Sequence, residues 1–149
     1  MRILVLFLLV SAAAAQEATV SILHWNDFHS QNVPFQVRSR NRATNSDTAY
    51  FVGGAATLAS YLAKYDRGDS ATLTLHAGDE FQGTPVSSIT KGASQVRLLN
   101  MLRPDAFSLG NHDFDYGRTN LASQLKTALY PALSANLIDQ KSGTPFAGD

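Results

Sequence analysis

Between Ala18 and Ile138, short apolar runs with strand-like alternation take turns with segments of helical period, and that succession constrains the fold more than any other feature. "ATVSILHW" alternates Val20, Ile22 and His24 against Ser21, Leu23 and Trp25 and reads as a strand entering a polar loop at Asn26. "GGAATLASYLAKYDRG" sets Ala55, Leu58, Ala59 and Leu62 at helical spacing and stops at Gly68. "SATLTLHAGD" is the second strand, and "GASQVRLLNMLRP" a helix with Val96, Leu99 and Leu102 on one stripe, closed by Pro104. "DAFSLGN" follows as a short strand, "GRTNLASQLKTALY" as a helix with Leu121, Leu125 and Ala128 on one face, and "PALSANLI" as a fourth strand. The intervening "PFQVRSRNRATNSDT" has no period and is expected to be a long exposed loop. Strand and helix in alternation predict an α/β layer structure built on a largely parallel sheet.

With 149 residues, 44% of them hydrophobic, the chain suits one domain with a real core. Twelve basic and twelve acidic side chains balance, so no general attraction to nucleic acid or to an anionic membrane is expected. Cysteine is absent, which excludes disulfides and thiolate ligands and leaves nitrogen and oxygen donors for any metal. Residues 1–15 read as a secretory signal peptide: Arg2, the compact run "ILVLFLLV", then "SAAAA", with cleavage expected after Ala15. The apolar run is too short to span a bilayer, so the mature chain, without a membrane span, is expected to be periplasmic or secreted. A parallel sheet needs both faces covered, and the sequence stops just past the fourth strand. An open edge or face is therefore expected, as in the first part of a larger domain.

Three polar clusters follow the first three strands: "NDFHS", "HAGDEFQGTP" and "GNHDFDYG". In open α/β sheets ligands sit beyond the carboxyl ends of the strands, so these loops are expected to converge. Asp27 and His29, two apart, face the same way if the chain is still extended there. Asp79 has two oxygens and can bridge two cations, and Gly78 and Gly83 let the backbone turn closely around it. Asn111 offers a neutral, hard oxygen. His112 follows as a ligand or a group facing the substrate, with Asp115 three further on, in reach to orient its ring. Any one of these motifs alone reads equally well as a turn.

Together, in this order and each at a strand end, they resemble the calcineurin-like metallophosphoesterase superfamily. "ILHWNDFHS", "GDEFQGTPVS", "GNHDFDYG" and "SANL" are similar to the secreted 5′-nucleotidase and 2′,3′-cyclic phosphodiesterase family within it. That resemblance implies the amino-terminal part of a layered α/β/β/α sandwich over residues 16–149. It further implies two divalent metal ions, with zinc, manganese, iron and cobalt all compatible. Asp27 and His29 would hold one, Asp79 bridge both, and Asn111 bind the second, with His112 facing a phosphoryl group and Asp115 orienting it. The implied substrate is a phosphorylated small molecule, a nucleoside monophosphate first among the candidates. Further family ligands are histidines of later loops, whereas this sequence has only His24, His29, His76 and His112. His24 and His76 are expected to be structural. A non-catalytic secreted binding domain and a related sulfur-compound hydrolase are the alternatives.

Overall fold

The computed structural model describes residues 18–68 and 71–146; the expected signal peptide lies outside them. Chain order runs β1 (Ser21–Trp25), β2 (Phe35–Asn41), β3 (Ser46–Val52), α1 (Ala55–Tyr65), β4 (Thr72–His76), α2 (Pro85–Thr90) and α3 (Ala93–Leu102). β5 (Ala106–Ser108), a 3₁₀ turn (His112–Phe114), α4 (Arg118–Leu125) and β6 (Ala132–Leu133) complete it. β1, β4, β5 and β6 form one four-stranded sheet in that order. All its pairings are parallel, with Trp25 opposite His76, His76 opposite Phe107, and Phe107 opposite Ala132. The four strands are those expected from the sequence, and the mixed α/β architecture with a parallel sheet holds. Because every strand runs the same way, the loops after β1, β4 and β5 leave from one edge.

One face of the sheet is packed. Phe107, Leu99 and Tyr130 form one buried cluster, and Phe81, Val96 and Leu121 another. The helical stripes predicted from spacing supply these contacts: Val96 and Leu99 of α3 are buried, and Leu121 of α4 is fully so. Among the described residues nothing covers the opposite face, with Ile22 (58% exposed), its register partner Leu73 (41%) and Leu133 (58%) on it. Among the described residues no helix is long and apolar enough to cross a membrane.

The structure corrects the sequence reading in four places. Residues expected as an exposed loop form the antiparallel hairpin β2–β3, with Phe35 opposite Val52 and Asn41 opposite Ser46. Its turn is closed by the Asn41 side-chain oxygen, which accepts the N–H groups of Ala43 and Thr44. The hairpin is exposed on both faces, so pairing there needs no apolar alternation and leaves no period to read. α2 was not anticipated; at six residues it is too short for periodicity, and only Pro85 at its first turn marks it. α4 ends at Leu125 and a turn carries Leu125 and Ala128 onto the core. β6 spans only Ala132–Leu133 of the longer strand expected.

Candidate metal centre

Beyond their strands, the loops after β1 and β4 continue to pair, through backbone hydrogen bonds and through the Ser30 hydroxyl, which meets the Gln82 carbonyl and Thr84. The Asp27 N–H donates to the Gly78 carbonyl at 3.0 Å, His29 to Asp79 at 3.1 Å and Ser30 to Glu80 at 3.1 Å. They do so in left-handed backbone: φ is 51° at Asp27, 48° at His29, 51° at Ser30 and 59° at Asp79. Asn, Asp and His tolerate that region better than most residues, which is one reason such types stand here. The extended conformation assumed for "NDFHS" is therefore absent. Asp27 and His29 nonetheless converge, His29 Nε2 lying 3.7 Å from Asp27 Oδ1. Local coiling, not strand parity, brings them together.

Glycine lets the loops touch. A Cβ on Gly78 would stand 2.6 Å from the Gly110 nitrogen, and one on Gly110 would stand 2.5 Å from the Asp79 nitrogen. Side chains at either position would push the second and third clusters apart.

Into this contact project His29, Asp79 and His112, whose ligand atoms all lie within 4.8 Å of one another. His29 Nδ1 is 3.3 Å from the Phe81 carbonyl, which can only accept, so the ring hydrogen sits on Nδ1 and Nε2 keeps its lone pair for a cation. Asp79 Oδ1 accepts the His112 backbone N–H at 2.8 Å, tying the second cluster to the third. The His112 ring stands edge-on to His29 with centroids 5.1 Å apart. Its Nδ1 donates to Asp115 Oδ2 at 2.8 Å, and that hydrogen bond, before any other cause, raises the imidazole pKa above its ordinary value. Nε2 is then directed away from Asp115, as expected for a ring that Asp115 orients. Asn111, in the same loop, is exposed and caps the 3₁₀ turn through its backbone carbonyl. The family resemblance implied that His112 faces the phosphoryl group, yet its ligand atom lies within 4.8 Å of those of His29 and Asp79. Nitrogen and oxygen donors of this mixture fit a divalent transition metal.

His24 is exposed, of opposite strand parity to the buried-face residues. His76 is buried between Trp25, tilted against its ring, and Phe107, which meets it edge-on. Two acids that the sequence reading passed over support the centre from below. Asp113, 0% exposed, accepts the backbone N–H groups of Asp79 (3.1 Å) and Gly110 (2.9 Å) on Oδ2 and of Glu80 and Phe81 (both 3.0 Å) on Oδ1. Burial raises its pKa, and those four N–H groups oppose the rise. Glu80, equally buried, meets His76; burial pushes Glu80 up to about 8 and His76 down to about 4. The only available signal was position, since both acids sit inside the quoted motifs.

Curated relatives share this stretch. The chain is 39% identical over 127 residues to human 5′-nucleotidase, covering 85% of this chain and 21% of that protein. It is 36% identical over 137 residues to Protein 5NUC of Lutzomyia longipalpis, covering 89% and 24%. Among solved structures, the NAD nucleotidase of Haemophilus influenzae superposes with a TM-score of 0.74 at 35% identity, over 83% of this chain and 22% of that one. The chain thus spans less than a quarter of the length of these relatives. Residues 20–148 match the calcineurin-like phosphoesterase family, and the chain belongs to it.

Proposed function

We propose that the protein of which this chain is at least a part hydrolyses phosphate monoesters with the help of two divalent metal ions, nucleoside monophosphates being the substrate class. The convergence of His29, Asp79 and His112 within 4.8 Å carries this reading, and the names of the relatives, 5′-nucleotidases among them, support the choice of substrate. A periplasmic or secreted location, with residues 1–15 as signal peptide and 16–149 as the first part of the phosphoesterase domain, belongs to the same proposal.

In it, Asp27 and His29 would hold one ion, Asp79 would serve both and Asn111 would serve the other. Bound divalent ions supply Lewis acidity toward phosphoryl oxygens and lower the pKa of water. The chain's own part is positional and protic. Asp79 accepts the His112 N–H on Oδ1, which helps to orient the carboxylate. His112, with Asp115 on Nδ1, would in its protonated form present an Nε2–H that stabilises developing charge or protonates the leaving oxygen. The cluster geometry favours one competing assignment, His112 as a ligand.

Two substitutions in the intact protein test both points. Asp79→Asn is expected to abolish phosphatase activity and deplete bound metal; normal metal content and turnover would sink the proposal. His112→Asn is expected to keep its metal while the rate falls by roughly two to four powers of ten. Loss of metal would move His112 to the ligand set.

A further inference from the structure

Beneath Asp79 runs a buried polar chain that hydrolysis does not use. The Gly78 N–H donates to His76 Nδ1 at 3.0 Å, so the neutral ring carries its hydrogen on Nε2 and donates it to Glu80 Oε2 at 2.7 Å. Glu80 Oε1 lies 2.6 Å from Gln95 Nε2. Gln95, fully buried on α3, exchanges a reciprocal amide pair with Asn32 at 2.8 and 3.2 Å. Asn32 in turn donates its N–H to the Ser30 carbonyl at 2.7 Å, in the loop that holds Asp27 and His29. The chain therefore starts on both sides of Asp79 and ends just past His29.

We propose that Glu80 is a positioning residue for the metal centre: through His76 and Gln95 it holds the loop of Asp79 against the loop of Asp27 and His29, and so sets the separation of the ligands. The inference rests on reading His29 and Asp79 as ligands. Filling this space with polar groups stabilises less than apolar side chains of the same volume would. What the chain delivers is a fixed relation between two loops, each in left-handed backbone at its ligand. Hydrogen bonding, not charge, is the means. A glutamine at position 80 still accepts from His76, and its N–H meets the Gln95 oxygen once the Gln95 and Asn32 amides both turn over.

Cobalt(II) alone, titrated into the metal-free intact protein and followed by its visible absorption, tests this without any turnover. Glu80→Ala is expected to weaken Co²⁺ binding about 10–100-fold and to alter the absorption bands. Glu80→Gln is expected to restore affinity to within roughly threefold of wild type, while Asn32→Ala, which cuts only the outer link, weakens it several-fold. A folded Glu80→Ala protein that binds Co²⁺ with wild-type affinity and spectrum overturns the inference. If that variant fails to fold, wild-type binding by Asn32→Ala does the same, and so does a Glu80→Gln protein as weak as Glu80→Ala. Absence of Co²⁺ binding by the wild type would instead overturn the metal-centre reading itself, and this inference with it.

Discussion

Replacing Asp113 by Asn changes one oxygen into an NH₂ group and nothing else in shape. Four backbone N–H groups point at that carboxylate, two on each oxygen. Whichever way the amide turns, two of them face a donor. A hydrogen bond to a charged acceptor contributes about 1.5–3 kcal/mol, so two lost bonds cost about 3–6 kcal/mol. Part is returned, because burial already disfavours the carboxylate and raises its pKa, and the amide carries no charge to desolvate. A net loss of about 3 kcal/mol is the expectation, within the 5–15 kcal/mol that holds an ordinary domain together, so the variant still folds. The cost is local and calls for a local assay. Amide hydrogen exchange of the segments holding Asp79–Phe81 and Gly110 should lose protection by about a hundredfold, at 1.4 kcal/mol per decade, while β1 and α1 change little. Protection of those segments equal to wild type would refute the argument that Asp113 clamps the two loops.

Two further outcomes follow from the same geometry. Asp115→Asn removes the main cause that raises the His112 pKa, so the imidazole should titrate closer to 6.5 in the metal-free protein, as read by ¹H–¹³C NMR; an unmoved midpoint refutes the pairing. The sign for stability is that of a raised histidine: the Asp115 contribution is full below 6.5 and is lost as pH rises through the folded pKa. Gly110→Ala places a methyl 2.5 Å from the Asp79 nitrogen in backbone that any residue adopts. It should cost about 1–3 kcal/mol by overpacking and lower the content of bound divalent metal, measured by thermal melting and metal analysis; a variant with normal metal would show that the two loops need not touch.

Much of this protein was legible in its sequence because the signals are local. The four parallel strands, the stripes of α1, α3 and α4, and the polar clusters at the strand ends all follow from periods of two and 3.6. The hairpin was not legible, since a ribbon exposed on both faces has no alternation to read. Asp27 and His29 approach each other, but not by strand parity: parity holds only while the chain is extended, and left-handed backbone begins at Asp27.

What the sequence by itself determined is the succession of the four parallel strands with α1, α3 and α4, and the kinds of donor at each strand end. Only the tertiary structure decided how those donors are held. Asp113 serves four N–H groups, three of them more than thirty positions away, and Glu80, in the loop after β4, reaches Asn32 through a glutamine on α3. A buried carboxylate is defined by the donors that fold around it, and no pattern of neighbours along the chain records which donors those will be.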